Sequence, residues 1–299
     1  MLEREFGRSG ITLSPVTFGS MRLNPDKIDS SAAVELITYL YQNGINTFHS
    51  SHEYETDRFF CQVLQKFRAS HPNAEIKHIA KIGVPHFDET RFDSTKLVTA
   101  IENRLQQLGT ERIDVVQWLV RHQPNDDRHR LPILTECQQE LTHTWTRLQN
   151  EGKVGALASF PYSVPFAKAV LEFPICQGLV TYLNLLELEM TPLLTQMERS
   201  RQGYVAIRPL GGGAIASSAV RGTKNPTDKI LSVKAIAKSL NLPEADLTEF
   251  AISFPLLHPA VSSVMVSVTS IEHAEEIVAA ASNVVSDRDR FESILKSIA

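Results

Sequence analysis

The sequence predicts an α/β fold, a (β/α)8 TIM barrel with a short N-terminal β-hairpin, on three observations. Short apolar runs alternate with amphipathic stretches from one end of the chain to the other, eight of each. The apolar runs are four to eight residues long and rich in Val, Ile or Phe, as strands buried on both faces require. No Pro/Gly/Ser linker or low-complexity tract interrupts the alternation, so residues 1–299 are expected to form one domain.

Taken in order, residues 3–6 and 11–13 flank Arg8-Ser9-Gly10 and pattern as a small hairpin. Barrel strands are expected at 15–19, 45–49, 76–83, 113–120, 154–159, 178–182, 204–207 and 261–268. Helices are expected at 30–42, 57–68, 94–108, 134–150, 163–172, 192–201, 242–253 and 270–281. In the first helix Ala33, Leu36, Ile37, Leu40 and Tyr41 recur on one face, serines open it, and Gly44 lies past its end. A doubly wound open sheet would need a glycine fingerprint after its first strand, and Phe18-Gly19-Ser20-Met21-Arg22 is not one.

Composition narrows the function classes. Thirty Lys+Arg against 34 Asp+Glu give a formal charge of -4, so no overall field draws in nucleic acid or anionic membrane. No stretch approaches the roughly 20 apolar residues of a membrane span, and the start is no signal peptide, so a soluble cytoplasmic protein is expected. Three separated cysteines, Cys61, Cys137 and Cys176, form no disulfide framework and read as packing residues.

In a barrel of this kind the chemistry lies at the C-terminal ends of the strands. The second strand ends in Gly44-Ile45-Asn46-Thr47-Phe48-His49-Ser50-Ser51-His52-Glu53-Tyr54, and the third in His78-Ile79-Ala80-Lys81-Ile82-Gly83. These segments resemble the GxNxFDTAxxYG and (I/A)xKxG motifs of the aldo-keto reductases. Phe6–Gly10, Gly19-Ser20-Met21, Gly152-Lys153-Val154, the 208–213 segment and the 264–269 segment resemble further landmarks of that family, in order. The resemblance implies NAD(P)H-linked reduction of a small carbonyl, or the reverse oxidation of an alcohol. Tyr54 falls on the family's proton-donor position and Lys81 on the lysine that lowers the phenol pKa.

The other two members of the family's tetrad are replaced. Its aspartate is His49 here, expected to be neutral, able to accept a hydrogen bond from Lys81 but supplying no counter-charge. Its histidine is Leu119, for which His52 is expected to provide the missing hydrogen bond. His122-Gln123-Pro124 resembles the family's HxP string but comes three residues late, which would demand an insertion in a buried strand. The Ser-Asn pair that holds the carboxamide is Phe160-Pro161, and the Gln and Tyr of the sixth strand become Val180 and Leu183. Gln177 and Tyr182 lie close enough for a shifted register to restore one of them.

By the same resemblance the cofactor meets Gly19, Ser20, Met21, Arg208, Pro209, Leu210, Gly211, Ser267, Thr269 and Glu275. Arg208 is the cation placed for a diphosphate, and Ser267 and Thr269 precede a helix N-terminus suited to phosphate. The family's cation for the 2′-phosphate is absent; Ile271 and Glu272 stand there with Glu275-Glu276 behind, a pattern that tolerates NADH. Specificity would come from the 121–131 and 214–229 loops, of which the charge-dense 121–130 stretch reads as solvated.

No metal is expected. His49, His52, His122 and His129 match no ligand spacing, and ten histidines in 299 residues make close pairs unremarkable. Two functions remain: an aldo-keto-reductase-like enzyme, or a barrel relative without hydride transfer, either a regulatory or binding protein or an acid/base enzyme using His49, Tyr54 and Lys81. The persistence of Tyr54 and Lys81 together ranks the first above the second.

Overall fold

A computed structural model describes residues 1–124, 126–222, 226–282 and 284–298. The chain opens with a two-stranded antiparallel hairpin, β1 (Arg4–Glu5) and β2 (Thr12–Leu13), paired Arg4 to Leu13. It then alternates β3 (Val16–Gly19), α1 (Ser30–Gln42), β4 (Thr47–Ser50), α2 (Asp57–Ser70), β5 (Lys77–Gly83), α3 (Ser94–Leu108) and β6 (Ile113–Leu119). The second half runs α4 (Asp127–Asn150), β7 (Val154–Ser159), α5 (Val164–Leu171), β8 (Cys176–Tyr182), α6 (Thr191–Arg199) and β9 (Gly203–Ile207). After it come α7 (Ser217–Gly222), α8 (Asp228–Ser239), α9 (Leu247–Leu256), β10 (Val261–Val266), α10 (Ile271–Ala281) and α11 (Arg288–Ile298).

Strands β3 to β10 pair in parallel and β10 closes back onto β3, so the eight expected strands form a closed barrel. Alternation along each strand divides the core in two. Outward residues such as Phe48, Trp118 and Tyr204 pack under the helices. Ile79, Val115, Ala156, Ala158, Val180 and Val205 point inward and meet Phe6, Ile11 and Leu13 of the hairpin, which plugs the N-terminal end. Arg4 fastens that plug by donating to the carbonyls of Leu256 (2.7 Å) and Val284 (2.8 Å). Gly7 adopts φ +58°, where a Cβ would stand 2.6 Å from the Gly203 nitrogen.

Caps account for the helix starts. Asp29 caps α1 through the Ser31 and Ala32 N–H groups, Asp93 caps α3, Ser163 caps α5 and Ser270 caps α10. The helices differ from expectation in several places. α4 begins at Asp127 rather than at 134 and carries Pro132 as its sixth residue, where it forgoes one i→i−4 hydrogen bond. The expected 214–229 loop holds α7 and the first turn of α8, while 223–225, like Asn125 of the 121–131 loop, lie outside the described residues. α8 and α11 were not expected. The helix expected over 242–253 starts at Leu247, after a 3-10 turn at Glu244–Asp246. Among the described residues no helix is long and apolar enough to cross a membrane.

Candidate active site

With the hairpin filling one end, the inward side chains one step further along each strand reach the open, C-terminal end. Ile79 is followed by Lys81, Val115 by Gln117 and Leu119, Ala158 by Phe160, Val180 by Tyr182, and Val205 by Ile207. These residues, with Gly19, His49, Tyr54, Met265 and Ser267, line a cavity of about 600 Å³ at the mouth. Met21, Arg208, Pro209 and Leu210 line it as well, so six of the ten residues expected to meet a cofactor face one space.

The other four are not among its lining residues. Ser20 is buried beside it, and its hydroxyl has no hydrogen-bond partner. Gly211 packs toward Ile215, and a Cβ there would come within 3.1 Å of that side chain. Thr269 lies behind Ser267, and Glu275 is exposed on α10. Gly212 and Gly213 take the place of Gly211 at the rim.

Tyr54 follows β4 in a tight loop closed by its own N–H on the Ser51 carbonyl at 3.1 Å. Lys81 comes from β5, and its Nζ lies over the Tyr54 ring, 5.2 Å from the centroid. The ammonium therefore meets the ring face, and its charge is answered by Glu53, whose Oε2 lies 3.0 Å from Nζ. Burial pushes the Tyr54 phenol well above its ordinary range, the Glu53 carboxylate pushes the same way, and only Arg121 opposes them. The phenol thus stands opposite to the lowering expected from Lys81, whose ammonium is paired with Glu53. The counter-charge that His49 does not supply comes from Glu53.

His49 lines the cavity and is buried. Burial first, then the nearby cations Lys81 and Arg104, hold its pKa down to about 4, against a hydrogen bond to Gln117 that raises it. Neutral, it donates from Nε2 to Gln117 Oε1 at 2.9 Å, and Gln117 Nε2 donates in turn to the Val180 carbonyl at 2.9 Å. It therefore turns to Gln117 rather than accepting from Lys81.

His52 is exposed and does not line the cavity, so it makes no hydrogen bond in place of Leu119; it faces the surface between α2 and α3. His122 stacks on His129 with centroids 4.6 Å apart, outside the cavity, and β6 pairs with β5 without a shift up to Leu119. Neither histidine takes the family position.

The most consequential residues missed from the sequence are Glu53 and Arg121. The Arg121 side chain is 8% exposed and forms an ion pair with Glu53. Its guanidinium also lies 4.9 Å from the Phe87 ring centroid. The 121–130 stretch is thus not wholly solvated: Arg121 and Arg130 are both buried, Arg130 lying 4.4 Å from the Tyr162 centroid. A signal was present in that an inward lysine at a strand end needs a carboxylate, and Glu53 adjoins the motif tyrosine.

On β8 the register is the shifted one: Tyr182 lines the cavity, while Val180 lies one layer deeper and Leu183 packs outside the barrel. Phe160 meets the Tyr182 ring edge-on at 5.3 Å. The Arg208 guanidinium lies 5.1 Å from the Tyr182 centroid and 3.4 Å from Glu187. Arg208 itself holds φ +58°, a left-handed backbone unusual for a side-chain-bearing residue, and its carbonyl accepts from Asn184 Nδ2 at 2.9 Å.

A parallel eight-stranded barrel with its titratable groups gathered at the C-terminal mouth is the architecture of a barrel enzyme. The profile of the Aldo/keto reductase family matches residues 15–298, and the chain belongs to that family. The fold resembles the holo form of an aldo-keto reductase from Bacillus halodurans, with a TM-score of 0.71 and 18% identity over 99% of this chain and 96% of the other. It also resembles a protein of Pseudomonas aeruginosa provisionally named an aldo-keto reductase, with a TM-score of 0.67 and 20% identity over 94% of each chain. No curated protein matches the chain by sequence.

Proposed function

We propose that the protein is an NAD(P)H-linked oxidoreductase that reduces a small carbonyl, with Tyr54 as the proton donor. One observation carries the reading: Tyr54 and Lys81 stand together on the cavity that Arg208, Gly212 and Ser267 border. The residues present fit a dinucleotide best at its phosphate end. There the Arg208 guanidinium lies against Gly212 (φ +74°), and Gly213 (φ +105°) leaves its backbone open to close approach. Tyr182, with the Arg208 guanidinium over its ring, is the aromatic residue of the cavity that would neighbour a nicotinamide, and Phe160 stands at its edge where the family carries an amide-binding pair. A bound nicotinamide dinucleotide would supply the hydride.

The chain's own residues then supply proton and orientation. A phenol whose pKa burial has raised is fully protonated near neutrality, so Tyr54 can hand its proton to a developing alkoxide but makes a poor base. Lys81, held by Glu53, fixes the Tyr54 ring from its face, worth about 0.5–2 kcal/mol for a partly desolvated cation–π contact. His49 acts as a neutral, oriented wall whose ring lies 6.0 Å from the Tyr54 ring.

NADH and NADPH, titrated separately by calorimetry or Trp fluorescence, test the reading. NADH should bind at least as well as NADPH, since the first turn of α10 carries Glu272 and no lysine or arginine. Tyr54→Phe should abolish turnover of an aldehyde panel while leaving cofactor affinity nearly intact. Failure of both nucleotides to bind at millimolar concentration would overturn the reading, and activity surviving Tyr54→Phe would remove that residue from its role.

A further inference from the structure

We infer that the carbonyl compound taken by this site carries a carboxylate, received by Arg121 beside Tyr54. The inference rests on the carbonyl-reductase reading and goes further by naming a substrate class. The charged residues lining the cavity are Arg22, Lys81, Arg121 and Arg208; among the described residues no aspartate or glutamate lines it. Two carboxylates reach those cations from behind. Glu187 answers Arg208 at 3.4 Å, at the end proposed for the diphosphate. At the Tyr54 end, Glu53 alone answers both Lys81 and Arg121.

Two cations sharing one carboxylate leave that end of the cavity with a surplus positive charge. His49 adds no negative charge where an aspartate would have made the balance even. The surplus is poorly hydrated: the Lys81 side chain is 18% exposed and that of Arg121 only 8%. Arg121 lines the cavity, and its Nη1 meets His86 at 3.4 Å, long for a charge-assisted bond. A guanidinium so placed has donors to spare for a planar carboxylate, and a low-dielectric wall strengthens the attraction. Phe160 and Tyr162 stand beside it as an edge-to-face pair at 5.0 Å, an apolar surface for the segment between carbonyl and carboxylate. The class defined is an aldehyde or ketone joined to a carboxylate by a short apolar or aromatic spacer.

The test compares 4-carboxybenzaldehyde with 4-methylbenzaldehyde, similar in size and different in charge, using the full chain with whichever nucleotide binds. The wild type should prefer the carboxylated aldehyde in kcat/KM by about tenfold or more at low ionic strength, a preference that shrinks with added salt. Arg121→Met should bring the two substrates within about threefold of each other, and Arg121→Lys should keep part of the preference. Binding of 4-methylbenzoate, measured by calorimetry without turnover, should be lost in Arg121→Met. Equal or better use of 4-methylbenzaldehyde by the wild type overturns the inference and leaves the reductase reading standing. Turnover of neither aldehyde, with 4-methylbenzoate still bound, overturns the reductase reading and the substrate class with it.

Discussion

Replacing Glu53 by Gln isolates the contact on which the site's electrostatics turn. The substitution keeps the side chain's shape and removes one negative charge that faces Lys81 at 3.0 Å and also pairs with Arg121. At an effective dielectric near 20 the Lys81 pair alone is worth about 5 kcal/mol of gross attraction, most of it offset by the desolvation of both groups. Removing one partner of a buried pair costs about 3–5 kcal/mol, because the other charge is stranded. Glu53 and Lys81 are 15% and 18% exposed, so the lower end applies, about 3 kcal/mol. At roughly 2–4 °C per kcal/mol for a domain of this order of size, Tm should fall by about 6–12 °C. The Tyr54 phenol should respond in the opposite sense to burial. The carboxylate that disfavours phenolate is gone and two cations are left unanswered, so its pKa must drop. Scanning calorimetry reads the first effect. Alkaline difference absorbance of tyrosinate reads the second, with Tyr54→Phe assigning the signal. A Tm within about 1 °C of wild type together with an unmoved Tyr54 titration would refute the reasoning.

Two further outcomes follow from the fold. His49 and His78 are fully buried with pKa values held down to about 4 and about 3, in both cases by burial first and nearby cations second. The unfolded chain takes up protons on them below pH 6.5 while the folded chain does not, so stability is whole above that pH and is lost as pH falls toward 4 and 3. By pH 5 each should cost about 2 kcal/mol, seen as a lower urea midpoint than at pH 7.5; His78→Gln should remove about half of the loss, and a flat profile from pH 6.5 to 5 would contradict it. Gly178→Ala should fail to fold or lose more than about 3 kcal/mol, since its Cβ would lie 2.0 Å from the Gly203 carbonyl oxygen where β8 meets β9. A soluble variant with near-native Tm would show that the two strands can part.

The barrel was legible because its strands are buried on both faces and so read as continuous apolar runs, with all eight found within a few residues of their observed ends. Helices that pack with a thinner stripe were not. α8 buries Ile230, Val233 and Ala237 amid three lysines and two serines at Asp228–Ser239, and α11 buries only Phe291 and Ile294. At the site, Tyr54, Lys81 and His49 were placed by motif, since each lies on or beside a strand end whose direction is set by period-two alternation. The error on β8 has the same root: anchoring on Asn184 put Val180 and Leu183 at the cofactor, whereas alternation from the inward Val180 leads to Tyr182. Contacts between loops have no such periodicity. Glu53 and Arg121 are 68 residues apart and meet only because β4 and β6 flank β5 at the mouth of the closed sheet.

Losing the strand aspartate and keeping Glu53 are physically one arrangement. An inward carboxylate at position 49 would stand on the floor against Gln117, whose Oε1 now accepts from the imidazole and would repel it. A neutral imidazole instead donates into the chain that ends on the Val180 carbonyl and satisfies that buried oxygen without a charge. Lys81 still needs an anion, and the loop after β4 provides it from the side rather than from below. The ammonium is thereby drawn over the face of the Tyr54 ring, where it steadies the phenol in place of acidifying it. The same side-on carboxylate engages Arg121, so Lys81 and Arg121 share one anchor beside Tyr54. That sharing gives Glu53 a larger part in this site than its place outside the family tetrad suggests.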